Sequence, residues 1–324
     1  MTAATRPVYL DCDTGVDDAL AIAYLLASPE VELVGVGTVS GNIDAARAAV
    51  NTLALLSLAG RDDIPVAVGA HDPLVGEFDG GVPHIHGSNG VGEVELEPSA
   101  RQAETESAAE LLLTLSHEYE GRLEIVAIGP LTNLAIALDS DPALADRVGP
   151  VTIMGGAALV PGNISAVAEA NIGNDPEAAQ RVLEADWDVT LVPLDITLAN
   201  SLEESDRQAL LDSESAFTRA LGAILDLYYD FYVPYYGRRS SALHDPLAAA
   251  LAVGGVTATR APAVPIVIDT TSGPGRGQTI CDLRGQHRGT FDHEGLRTRV
   301  VLDIDEPLAP HLVGRLLEFA TRER

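Results

Sequence analysis

The feature that most constrains this chain is an alternation of short apolar runs with longer stretches of helical spacing. Residues 7–10, 31–39, 65–68, 123–128, 151–154 and 189–192 read as strands. Between them, residues 17–27, 43–59, 107–119 and 131–138 carry helical patterns, and Asp175-Pro176-Glu177 opens a further helix with an acid at the cap and proline at the first position. Gly60 closes the second helix as a stop signal. Strands separated by helices of this length predict an α/β fold, with a mostly parallel central sheet and helices on both faces, Rossmann-like in outline. Ligands of such sheets sit beyond the carboxyl ends of the strands.

Residues 70–103 interrupt the alternation with many Gly, Asp and Glu, and contain His84-Ile85-His86-Gly87. A loop of that length in a compact domain is functional or mobile, and closure of this one over a ligand is the expectation. Beyond Leu194 the pattern turns mainly helical; residues 264–268, 278–283 and 297–303 read as late strands and 307–321 as a last helix. With no repeat and no low-complexity linker, one domain over residues 1–324 is expected.

The 324 residues carry 48 acidic against 20 basic side chains, a net charge of −28, and every basic residue is Arg. That charge disfavours nucleic acid and anionic membrane as partners. The absence of Lys rules out Schiff-base and P-loop-lysine chemistry. Two cysteines, Cys12 and Cys281, make neither a disulfide framework nor a zinc cluster. The longest apolar stretch, 247–256, is about half the ~18 residues a bilayer span requires, and a cytoplasmic location is expected.

Asp11, Asp13, Asp17 and Asp18 stand together where the first strand ends and the first helix begins. Asp11 and Asp13 are two apart on an extended segment and face the same way, so Cys12 faces away and packs. Asp17 and Asp18 open a helix whose dipole favours negative charge. Converging carboxylates repel one another unless a cation lies among them, and oxygen-only ligands suit Ca²⁺ or Mg²⁺. The competing reading is that Asp17 and Asp18 only cap the helix while Asp11 accepts turn donors.

The segment from Leu10 to Ala19, Leu-Asp-Cys-Asp-Thr-Gly-Val-Asp-Asp-Ala, resembles the signature of nucleoside hydrolases, the inosine-uridine-preferring N-ribohydrolases. Further motifs follow in the same order: Val39-Ser40-Gly41-Asn42, His84-Ile85-His86-Gly87, Ile128-Gly129-Pro130-Leu131-Thr132-Asn133, Met154-Gly155-Gly156, Gly162-Asn163, Glu169-Ala170-Asn171 and His244-Asp245-Pro246. The resemblance covers nearly the whole chain. It implies a Ca²⁺-dependent hydrolase that cuts the N-glycosidic bond of purine or pyrimidine ribonucleosides to ribose and base. It implies Asp13, Asp18, Asp245 and the Ile128 carbonyl as Ca²⁺ ligands. Asp17, Asn42, Asn163, Glu169 and Asn171 would hold the ribose, with Met154 against it and Asp11 behind the metal ligands. It also implies a homodimer or homotetramer serving salvage or breakdown of nucleosides.

The residue chemistry suits that assignment. An oxocarbenium-like ribosyl cation calls for an anionic site and an activated water, with Asp13 as general base. Asn and Glu offer the paired donors and acceptors that sugar hydroxyls need. Glu169 and Asn171, two apart, are expected on an extended segment facing one ligand. His244, next to Asp245, matches the proton donor of the purine-and-pyrimidine-using members; His86 is the second candidate to meet the base. Six of the 14 aromatics fall at Tyr228, Tyr229, Phe231, Tyr232, Tyr235 and Tyr236. Most of these are expected in core or subunit packing, with Tyr232 near the base. The segment Pro234-Tyr235-Tyr236-Gly237-Arg238-Arg239 departs from familiar members, as does Thr14 where many carry Pro.

Two other readings compete. Asp11-Cys12-Asp13-Thr14 also fits the nucleophile pattern of haloacid-dehalogenase-like phosphatases, but that family needs a later Lys or Arg on the phosphoryl group. A non-catalytic nucleoside-binding protein would lack a catalytic group, whereas Asp13, Asp17, Asp18, His244 and Asp245 are all present.

Overall fold

The computed structural model describes residues 5–289 and 291–322. Seven parallel strands form the central sheet: β1 (Arg6–Cys12), β2 (Val31–Thr38), β3 (Val66–Val68), β4 (Glu124–Ala127), β5 (Val151–Met154), β6 (Val189–Val192) and β7 (Thr298–Val300). Their spatial order is β7-β6-β5-β4-β1-β2-β3, and every neighbouring pair is parallel.

Alternation along β1 shows how the sheet is covered. Val8, Leu10 and Cys12 join the apolar cluster on one face, with helices Val16–Ala27, Asp245–Val253 and Leu308–Arg322. Tyr9 joins the cluster on the other face, under helices Ala108–Glu118, Thr132–Ser140 and Pro176–Leu183. A sheet buried on both sides needs near-continuous apolar strands, which these are. The strand order reverses direction between β1 and β4, and at such a switch point a crevice opens beyond the carboxyl ends. Asp11, Asp13 and Ile128 stand at those two ends.

The late strands are all present, and the structure places them. Residues 264–268 and 278–283 do not enter the main sheet; Ile266–Ile268 and Thr279–Cys281 form a separate antiparallel ribbon. Residues 297–303 divide, Thr298–Val300 closing the sheet and Asp303–Ile304 pairing with Ala258–Arg260. The long interruption contains the one-turn helix Pro83–His86. Among the described residues no helix is long and apolar enough to cross a membrane.

Candidate active site

The loop after β1 is folded by its own carboxylates. Asp18, three residues into the Val16–Ala27 helix, accepts the backbone N–H of Gly15 at 2.8 Å and of Asp13 at 3.1 Å. These bonds satisfy donors that the turn and helix start leave open. Asp13 accepts the Asn42 N–H at 2.6 Å, and the Asn42 amide donates to Asp18 at 3.1 Å. The close approach of this second loop depends on Gly41, where a Cβ would lie 2.1 Å from Asp13 Oδ2. Asp11 has partners of its own. It accepts from the Tyr9 hydroxyl at 2.9 Å and from the Asn133 amide at 3.1 and 3.3 Å, and burial pushes its carboxyl up to about 7.

Asp13, Asp17, Asp18 and Asp245 are all buried. One carboxylate oxygen from each of Asp17, Asp18 and Asp245 lies within 4.8 Å of the others. Asp18 accepts the Asp13 backbone N–H, and the charge of Asp18 bears on the Asp13 carboxyl. Burial raises the pKa of each. For Asp13 the next cause is Asp18; for Asp18 and Asp245 it is Asp17; and Asp18 reaches about 7. Asp13 Oδ1 and Asp17 Oδ1 have no hydrogen-bond partner. Buried, mutually repelling carboxylates with open oxygens are a donor set that a hard divalent cation fits. The cation-ready trio includes Asp17, which sequence reasoning had placed on the sugar, while Asp13 joins it through Asp18.

These carboxylates open into a cavity of about 420 Å³. Its lining includes Asp17, Asn42, His86, Ile128, Met154, Asn163, Glu169, Asn171, Tyr232, His244 and Asp245. Of the residues expected to bind metal or substrate or to act in catalysis, Asp13 and Asp18 are the two outside that lining. No arginine lines the cavity among the described residues.

Glu169 and Asn171 both line the cavity, as expected, but only Glu169 is extended; Asn171 lies in the helix that follows it. Glu169 caps the helix Ala170–Asn174, accepting the N–H groups of Asn171 and Ile172, and it also takes Gly156 N–H at 2.8 Å. Asn171 donates to the carbonyls of Ile128 and Met154 at 2.9 and 3.1 Å, tying the ends of β4 and β5 together. Asn163 is exposed on the cavity rim and accepts Ala170 N–H at 2.9 Å.

The two histidines differ in what holds them. His86 Nδ1 accepts the Val16 N–H at 3.0 Å, so that nitrogen carries no proton. Burial lowers its pKa to about 3, leaving a neutral ring with its proton on Nε2. His244 Nδ1 stands 2.8 Å from the Thr197 hydroxyl; burial lowers its pKa and Asp17 opposes that shift. His84 is exposed and meets Phe231 edge-on at 5.8 Å between ring centres.

The aromatic segment lies on helix Ala216–Tyr236, closed by Gly237 in the left-handed conformation. Only Tyr229 of the six packs away from the cavity; Tyr228, Phe231, Tyr232, Tyr235 and Tyr236 line it. Tyr228 and Tyr229 also belong to the buried core, as expected, and more of the six reach the cavity than the one, Tyr232, placed there from the sequence. Tyr228 donates to Asp17 at 3.2 Å. Arg238 and Arg239 pair with Glu203 and with Glu204, Asp226 and Asp230, and bring no charge to the cavity. Cys12 is fully buried with its thiol pKa pushed up, in keeping with packing. Sequence reasoning missed Thr197, Tyr228 as the Asp17 partner, and Asn133 as the Asp11 partner. All three contacts join segments far apart in sequence and leave no local signal.

A family model described as inosine-uridine preferring nucleoside hydrolase matches residues 8–309. The chain is 34% identical over 317 residues to a probable uridine nucleosidase 2 of Arabidopsis thaliana, covering 97% of this chain and 98% of that one. It is 33% identical over 302 residues to an inosine-uridine preferring nucleoside hydrolase of Crithidia fasciculata, covering 93% of each. Its fold is similar to the solved structure of a purine-preferring ribonucleoside hydrolase from Gardnerella vaginalis, with TM-score 0.88 and 33% identity over 98% of this chain and 100% of that one.

Proposed function

The chain belongs to the inosine-uridine preferring nucleoside hydrolase family, enzymes that hydrolyse the N-glycosidic bond of ribonucleosides, and from that premise we propose how its own residues divide the work. The substrates are purine or pyrimidine ribonucleosides such as inosine and uridine, the products ribose and free base, and the cofactor Ca²⁺. The observation that carries this reading is the set of four buried carboxylates at the cavity, two of them with an unpartnered oxygen.

Asp13, Asp18, Asp245 and the Ile128 carbonyl would hold the ion, an all-oxygen set. When bound, it supplies positive charge that acidifies a water and orients the 2′ and 3′ hydroxyls. Asp17, Asn42, Asn163, Glu169 and Asn171 take the ribose hydroxyls, with Met154 beneath the ring. Glu169 is suited to this because three backbone N–H groups fix its carboxylate before any ligand arrives. The water oxygen bonds to C1′ and its proton passes to Asp13. The C1′–N bond breaks, its electron pair goes to the base nitrogen, and His244, entering the step as the imidazolium, donates the proton that nitrogen needs and is left neutral. The neutral Nε2–H of His86 supplies a hydrogen bond to the substrate, and Tyr232 stacks on the base. A cavity lined by carboxylates without arginine attracts a developing cation and repels a phosphoryl group, which disfavours the phosphatase reading.

Two free thiols fit a cytoplasmic location, and the homodimer or homotetramer is carried over from the family resemblance. Inosine, uridine, cytidine and adenosine, each incubated with the purified protein, test the function: reducing sugar and free base appear in equal amounts from at least one. Base release without ribose, or phosphate release from a nucleotide instead, would contradict it.

A further inference from the structure

We propose that Thr197 is a positioning residue for departure of the base: its hydroxyl holds the His244 imidazole by Nδ1 so that Nε2 faces the cavity. The inference deepens the reading above and rests on it, because it takes His244 as the group that meets the leaving base.

Thr197 is fully buried at the end of the short helix Leu194–Thr197, which follows β6. Its Oγ1 lies 2.8 Å from His244 Nδ1, and His244 lines the cavity. With Nδ1 engaged by the wall, Nε2 is the ring nitrogen left for a ligand. The backbone around His244 is fixed separately. The Leu243 N–H donates to Asn200 O at 2.9 Å, Leu308 N–H donates to Asn200 Oδ1 at 3.1 Å, and Ser201–Glu203 pairs with Ser240–Ala242 as antiparallel strands. These ties place the His244 backbone without help from the hydroxyl. The hydroxyl therefore governs the rotation of the ring, and its loss leaves the chain path intact.

A hydroxyl also suits this position better than a carboxylate. It both donates and accepts, so it keeps hold of Nδ1 whether or not that nitrogen carries a proton. In the doubly protonated ring Nδ1–H donates to Thr197 Oγ1; the Nε2 proton moves to the base nitrogen and leaves a neutral ring in the same orientation, the C1′–N electron pair goes with the base, and the water oxygen bonds to C1′ with its proton going to Asp13.

The test compares the wild-type protein with Thr197→Val, which is isosteric and lacks the hydroxyl, and Thr197→Ser, which keeps it. Each is assayed with Ca²⁺ on inosine, uridine and 4-nitrophenyl β-D-ribofuranoside, whose nitrophenolate departs without a proton. We expect Thr197→Val to lower kcat on the nucleosides by about tenfold, a part of the 10²–10⁴ that a placed acid contributes, with KM unchanged. The nitrophenyl riboside rate and the melting temperature stay near wild type, and Thr197→Ser restores the nucleoside rates. Thr197→Ala gives the same contrast should valine crowd the site. An equal fall on all three substrates, or unchanged nucleoside rates, overturns the proposal. Failure of the wild-type protein to cut any nucleoside overturns the reading beneath it as well, and the two failures are told apart by that control.

Discussion

Replacing Asp11 with Asn removes a buried carboxyl that takes up its charge as pH rises through neutrality. The carboxyl is fully buried, and its pKa is raised from 3.8 to about 7. Desolvation is the main cause, opposed by the hydrogen bonds from Asn133 and Tyr9. Between those two pKa values the folded protein binds more protons than the unfolded chain, so the contribution of Asp11 to stability falls as pH rises through that window. The whole shift corresponds to about 4 kcal/mol, and the part that falls between pH 5 and pH 8 to about 2.5 kcal/mol. Asn keeps the shape: its amide can donate to Tyr9, whose hydroxyl also has the Ala108 carbonyl at 3.1 Å to donate to. Urea unfolding of chelated wild-type and Asp11→Asn proteins at pH 5 and pH 8 reads this directly. The other buried carboxylates contribute to both proteins, so the quantity of interest is the difference in pH slope. Stability of the wild type should fall more steeply with pH by roughly that 2.5 kcal/mol. Equal slopes would refute the reasoning, because Asp11 would then be ionised in the fold at no cost.

Other outcomes follow from the site. Asp13→Asn should lower kcat by roughly 10²- to 10⁴-fold while leaving nucleoside binding measurable by calorimetry. Tyr228→Phe removes one hydrogen bond to Asp17, of about 1 kcal/mol, and should change kcat/KM by roughly fivefold without loss of the melting transition. Ca²⁺ at about 100 times its Kd should stabilise the chelated protein by roughly 2.7 kcal/mol at neutral pH in thermal unfolding, and Asp245→Asn should blunt that response. Uridine should be cut far faster than 2′-deoxyuridine, as ribose and deoxyribose release from the two would show.

The parallel sheet was legible because buried strands and capped helices each leave a local pattern, seen in β5 and in the Asp175-Pro176 helix start. The acidic turn was legible for the same reason: Asp13, Asp17 and Asp18 lie on one short strand–turn–helix segment. Asn171 was misplaced onto an extended segment because Glu169, itself extended, spends its carboxylate on capping the helix that holds Asn171, accepting the backbone N–H groups of Asn171 and Ile172. The aromatic helix was legible as a helix, but periodicity does not say whether a face meets core or cavity. Thr197 against His244, 47 positions apart, and Tyr228 against Asp17, 211 apart, depend on how distant elements pack.

The most direct measurement strips the wild-type protein with chelator and titrates Ca²⁺ back, following ribose release from uridine and inosine alongside calorimetric Ca²⁺ binding. The account predicts negligible release in chelator, and a rate that rises with occupancy and saturates with it. Full-rate release in chelator, or Ca²⁺ binding that leaves the rate unchanged, would contradict it.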